Sequence, residues 1–132
     1  MSKLLILLSS VYCFVACKRD ESEIKQSEII GTWTIIKIKF EIEDAWAPFP
    51  ENPTHKLKEN FDWEIGFKTD GQIITGPAGT WKPNDSNNGF TLYKKDNLAY
   101  GYYTVLESNG NTMTLECRDD GIYKHYEIWE RQ

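Results

Sequence analysis

A chain of 132 residues with a formal charge of −5 has room for one small domain. It has too little positive charge to grip a nucleic acid backbone. Five Trp, seven Tyr and six Phe supply the large apolar areas that so small a core needs.

Residues 1–16 read as a secretory signal. Lys3 gives a positive start, and Leu4 to Ala16 an apolar run shorter than the roughly 20 residues that span a bilayer. Removing Lys3 takes the charge from −5 to −6, so anionic headgroups do not hold the mature chain. Cys13 leaves with the signal. Cys117 is then the one cysteine inside the domain, which gives no disulfide framework and reads as a small buried hydrophobe.

The end of the signal, Phe14-Val15-Ala16-Cys17, resembles the lipobox of bacterial lipoproteins. That resemblance implies cleavage before Cys17, diacylation of its thiol and acylation of the new amine. Acyl chains would then be the membrane contact, and the outer membrane the address, on its periplasmic face or at the cell surface. An ordinary signal peptide cut nearby leaves Cys17 a plain thiol instead. Residues 17–28 form the tether: from Lys18 to Glu28 seven of eleven residues are charged, a composition that buries little and predicts disorder.

From residue 29 to 132 the pattern is all β. Ile36, Ile38, Phe40 and Ile42 alternate with charged residues, as do Phe61, Trp63, Ile65 and Phe67 with polar ones. Asp70-Gly71 predicts a two-residue hairpin turn. Strands follow around Ile73-Ile74, Gly79-Thr80-Trp81 and Phe90 to Tyr93, then over Ala99 to Leu106, Thr112 to Arg118 and Ile122 to Arg131. Short strands broken by turns every ten or so residues predict a sandwich or barrel. Two-residue turns at Asn109-Gly110 and Asp120-Gly121 set Met113, Leu115 and Cys117 inward. They also place Tyr102, Thr104, Leu106, Tyr126 and Ile128 inward, and His125 outward opposite Glu116.

Gly31-Thr32-Trp33 opens the first strand, Gly79-Thr80-Trp81 repeats the tripeptide, and Tyr126 to Arg131 closes the chain. Together with the lipobox these resemble the lipocalin-like domains of small bacterial lipoproteins. The chain departs from true lipocalins in being shorter and in lacking a helix before the last strand. The resemblance implies a single antiparallel up-and-down barrel of about eight strands. It also implies non-catalytic binding of a small apolar or amphipathic ligand. First and last strands are neighbours in such a barrel. Trp33 and Arg131 would then share one face and form a structural plug of the floor through a cation–π contact.

The inward positions make a candidate ligand site of Phe40, Trp63, Phe67, Tyr100, Tyr102, Thr104 and Tyr126: apolar walls with a few hydroxyls. The Pro-rich stretch Asp44 to Asn60 reads as one long loop, with Trp46 and Phe49 as its lid residues. An eight-stranded barrel is just wide enough for its own side chains or one small ligand. A filled barrel acting as a protein-interaction or inhibitor module is therefore the alternative. Catalysis is not expected, because the register holds His125 away from Cys117. No metal or cofactor is expected either, since His55 and His125 stand far apart in the chain and no ligand cluster is visible.

Overall fold

A computed structural model describes residues 24–119 and 123–132. The expected signal peptide, Cys17 and the Asp120-Gly121 turn lie outside the described residues. The elements in chain order are one helical turn, α1 (Gln26–Ile29), and the strands β1 (Gly31–Phe40), β2 (Ala47–Pro48) and β3 (Thr54–Leu57). They continue as β4 (Asp62–Thr69), β5 (Gln72–Pro83), β6 (Gly89–Lys94), β7 (Ala99–Ser108), β8 (Thr112–Asp119) and β9 (Tyr123–Arg131).

The sheet is antiparallel throughout and follows the order β1-β3-β4-β5-β6-β7-β8-β9, with β9 pairing back onto β1. This is the expected closed up-and-down barrel of eight strands, with β2 as one extra strand beside β1. Closure leaves few free edges, which is how such architectures avoid pairing with other chains. The turn at Asp70-Gly71 forms as expected: both residues have positive φ, and Thr69 faces Gln72.

Four indoles, Trp33, Trp63, Trp81 and Trp129, are all at most 1% exposed, and Phe90, Leu92 and Leu115 pack with them. One end of the barrel is therefore solid. The second Gly-Thr-Trp shows why glycine is needed there. A Cβ on Gly79 would sit 1.8 Å from the Tyr93 carbonyl oxygen, across the β5–β6 pairing. Gly79→Ala should lower the free energy of unfolding by about 2–3 kcal/mol through overpacking. Urea denaturation measures it, and an unmoved midpoint would mean the two strands do not close up there.

Four expectations change. The Asp44–Asn60 stretch is not one loop: Thr54–Leu57 is a wall strand between β1 and β4. Four residues are too few to display alternation, and Pro53 just before them disguises the start. In β1, a bulge at Ile36 switches the inward set from Trp33 and Ile35 to Ile38 and Phe40. Ile36 is thus not inward, and Ile42 lies beyond the strand, 95% exposed.

The third change concerns the last two hairpins. Asp119 faces Tyr123, one residue further along than the expected pairing. The other hairpin pairs Ser108 with Met113, and a bulge at Leu106 then brings Val105 opposite Leu115. Its loop is organised by the Asn109 side chain, which accepts from the Asn111 and Thr112 amides at 2.9 and 2.8 Å. Met113, Leu115 and Cys117 face inward as expected. β7 and β9, however, are each displaced by one residue, and that turns every side chain to the other face. Tyr103, Val105, His125, Glu127 and Trp129 point in, and Tyr102, Thr104, Leu106, Tyr126 and Ile128 point out.

Fourth, the end of the expected tether packs on the barrel. The Ile24 amide donates to the Asn87 carbonyl at 2.6 Å, and the Ile24 side chain lies against the core. Ile29, at the end of α1, is 1% exposed and belongs to that core.

Candidate functional site

The other end of the barrel is open. A cavity of about 240 Å³ lies there, under the strand ends that carry Phe40 and Phe67. Its wall is apolar: Ile35, Ile38, Phe40, Phe49, Ile65 and Phe67. Its polar side is formed by Tyr100, Tyr103, Asp119, His125 and Glu127, with His55 at depth. An apolar wall with a few converging polar groups is the usual make-up of a small-molecule site. A larger concavity, about 550 Å³, lies outside the barrel among Thr32, Thr34, Thr54 and Lys56. It lies against the outer face of the sheet, away from the tyrosines, His125 and Glu127 that converge inside the barrel, so the interior mouth is the better candidate despite its smaller volume.

Of the residues expected at a ligand site, Phe40, Phe67 and Tyr100 line the mouth. Trp63 is inside but deeper, 1% exposed, with its ring 4.8 Å from that of Tyr100. Tyr102, Thr104 and Tyr126 are not at the site. The one-residue register shift puts them on the outer wall, where the Lys39 ammonium sits 5.1 Å from the Tyr126 ring. The two lid residues part company. Phe49 lines the cavity, held by its amide donating to the Ile36 carbonyl at 3.0 Å. Trp46 lies on the outer wall, 5.5 Å from the same Lys39 ammonium. At the closed end, Trp33 pairs directly with Arg131, whose guanidinium lies 4.2 Å from the indole centroid.

The groups that sequence reasoning missed are the polar ones. His55 sits on β3, 1% exposed, stacked 4.5 Å from Trp129 with the rings nearly parallel at 9°. Its Nδ1 accepts the Trp63 Nε1–H at 3.0 Å. Burial pulls its pKa down to about 4, against a smaller upward pull from Glu127, so the ring is neutral at pH 7. Glu127 is 4% exposed and lies close to His125, with Oε2 3.7 Å from Nε2. Burial and then the Glu127 charge push the Tyr100 and Tyr103 phenols upward, so both remain protonated donors.

His125 does not face outward, and it is not remote from Cys117. The two are direct partners across β8 and β9, and both point into the barrel. The Cys117 thiol donates to Glu127 Oε2 at 3.3 Å. Burial and the adjacent carboxylate raise its pKa well above the usual thiol value, so it is a poor nucleophile. For His125 burial lowers the pKa, but hydrogen bonding and attraction to Glu127 outweigh it and the net shift is upward. The expectation that the chain lacks a metal-ligating cluster is thereby overturned. Donor atoms of Cys117, His125 and Glu127 all lie within 4.8 Å of one another. The signal was in the chain: if Arg131 faces Trp33, parity along β9 carries Trp129, Glu127 and His125 inward with it.

No family model matches the sequence, and no curated protein matches it. Solved structures of lipocalins do resemble it. Lobster apocrustacyanin A1 aligns over 82% of this chain at 14% identity with a TM-score of 0.51. The chain spans only 63% of that protein's length. A bovine odorant binding protein, solved in complex with a selenium-containing odorant, aligns over 87% of this chain and 77% of its own at 12% identity, with a TM-score of 0.50. The chain therefore shares the barrel fold of the lipocalins, at identities that carry the likeness no further than the fold.

Proposed function

We propose that this chain is a membrane-anchored, non-catalytic binder of one small amphipathic molecule, held in the mouth of the barrel. One observation carries the reading: the interior is solid at one end and open at the other, and the open end combines an apolar wall with Tyr100, Tyr103 and Glu127 on one side. A ligand would bury its apolar part against Ile38, Phe49 and Phe67 and present a polar end to the phenols. The volume of about 240 Å³ lies below the roughly 300–1,000 Å³ of drug-sized sites, so a single ring or a short chain fits better than a long lipid.

Anchoring through an acylated Cys17 in the outer membrane belongs to the same proposal. Ile24 is fastened at Asn87, in the β5–β6 turn at the closed end of the barrel. A membrane tether leaving from there would hold the mouth away from the bilayer. The lipocalin fold supports ligand binding without demonstrating it, and the odorant bound by the bovine protein illustrates the class of small molecule such a barrel can take.

The test is titration of the purified protein with an apolar naphthylamine dye whose emission rises on burial. One dye should bind per chain, and Ile38→Trp, which fills the mouth, should weaken binding by at least about tenfold, the equivalent of roughly 1.4 kcal/mol. Equal binding by the variant, or none by the parent, would defeat the proposal. Absence of binding would favour the interaction module, for which Ile73, Leu98 and Tyr123 already stand exposed. Mass spectrometry of protein extracted from membranes tests the acylation separately.

A further inference from the structure

We propose that Cys117, His125 and Glu127 form a three-donor site for a divalent transition ion of the zinc class, open toward the mouth of the barrel. The reading stands apart from the amphipathic ligand and does not need it.

The argument begins with register. Cys117 and His125 are cross-strand partners, and Glu127 follows two residues later on the same strand and the same face. Alternation thus delivers a thiol, an imidazole and a carboxylate to one patch of barrel wall. The Cys117 sulfur lies 3.3 Å from Glu127 Oε2, and His125 Nε2 lies 3.7 Å from that same oxygen. Donor atoms around a tetrahedral zinc stand roughly 3.3–3.6 Å apart, from metal–ligand bonds of about 2.0–2.3 Å. The donor atoms of the three residues all lie within 4.8 Å of one another.

Chemistry narrows the ion. Thiolate with imidazole suits zinc and its neighbours, whereas calcium and magnesium take oxygen. Three protein donors leave a coordination position free, the arrangement of open rather than closed zinc sites. His125 and Glu127 both line the cavity, so that position faces the mouth, toward Tyr103 and Asp119.

Charge supplies a second, independent reason. Glu127 is a carboxylate 4% exposed, and among the described residues its ion-pair partner is His125. A buried charge is costly unless it is paired or coordinates a metal. In the metal-free state the Cys117 thiol, at 3.3 Å, and the His125 ring, at 3.7 Å, are the groups that compensate it. A divalent ion placed among the three would be held by a thiolate, a neutral imidazole and a carboxylate. A cysteine nucleophile built from the same residues is disfavoured, because the thiol proton is directed at the carboxylate rather than taken up by the imidazole.

The experiment uses cobalt(II) as a coloured substitute for zinc, added to the full protein stripped of metal by a chelator. One equivalent should produce thiolate-to-cobalt charge-transfer absorption together with visible bands of low-symmetry coordination. Zinc should abolish both by displacement and should raise the thermal midpoint. Cys117→Ser should lose the charge-transfer band. His125→Gln, which keeps a neutral hydrogen-bond donor beside Glu127 and whose folding is checked by circular dichroism, should weaken zinc binding by at least about tenfold. The proposal is overturned if no stoichiometric cobalt spectrum appears. It is equally overturned if the band survives in Cys117→Ser, which would place the ion on another cysteine, or if His125→Gln binds zinc as the parent does.

Discussion

Arg131→Ala should lower the free energy of unfolding by about 4 kcal/mol, read from the midpoint of urea denaturation. The guanidinium donates three hydrogen bonds to backbone carbonyls: Nε to Gly110 at 2.8 Å, Nη1 to Ile30 at 2.8 Å and Nη2 to Glu28 at 3.0 Å. It thereby ties the β7–β8 loop, the end of α1 and the start of β1 to the last strand. A hydrogen bond to a charged group contributes roughly 1.5–3 kcal/mol, and truncation leaves the part-buried carbonyls without their donor. The contact with Trp33 adds about 1 kcal/mol. These contributions overlap, so the total is less than their sum.

Arg131→Lys should recover less than half of the loss, since an ammonium cannot place three donors in one plane or spread over the indole. A lysine variant as stable as the parent would show that the fork is not what closes the floor. Gly31 belongs to the same assembly. Its φ is +144°, and a Cβ there would stand 2.4 Å from Arg131 Nη1. The first Gly-Thr-Trp is therefore a seat for the arginine, with the Trp33 Nε1–H anchored on the Ile29 carbonyl at 2.8 Å.

The second large effect is at His55. His55→Ala should cost about 3–4 kcal/mol at pH 7: it opens a cavity beside Trp129 and leaves the Trp63 indole N–H without an acceptor. The pH dependence follows from the depressed pKa. Unfolded, the ring titrates near 6.5; folded, near 4. The unfolded chain thus binds more protons between these values, and stability falls as pH drops through that window. The stabilisation is complete above pH 6.5 and about 3 kcal/mol of it is gone by pH 4. His125 acts with the opposite sign, because its pKa is raised. The clean readout is therefore the difference between the parent and His55→Leu, which should shrink steadily from pH 7 to pH 4. A difference that stays constant would mean that His55 titrates normally in the folded protein.

These two positions show how unevenly the chain could be read. Alternation over Trp63, Ile65 and Phe67 made β4 legible, and Asp70-Gly71 made its hairpin legible, because both signals are local. His55 was not legible. Its strand is four residues long, and its neutrality comes from burial among Trp63, Tyr103 and Trp129, which arrive from three other strands, two of them distant in the chain. The polar side of the mouth was hidden for a different reason. Turn length was read from favoured dipeptides, yet the β7–β8 loop is stitched by an Asn109 side chain and Asp119 pairs with Tyr123. The bulge at Leu106 leaves β7, and the Asp119–Tyr123 pairing leaves β9, displaced by one position, which exchanged Tyr102, Thr104 and Tyr126 for Tyr103, His125 and Glu127.

Composition and short-range pattern sufficed for the architecture: a small acidic chain of alternating strands, rich in tryptophan, closed on itself by its first and last segments. Such a result depends on the period of each strand, which survives small errors of pairing. Which side chains meet inside depends on the phase of each strand relative to its neighbours. Bulges at Ile36 and Leu106 and the pairing of Asp119 with Tyr123 set that phase, and only the packed barrel determined them. The arginine seat needed the period alone, whereas the thiol, imidazole and carboxylate cluster needed the phase.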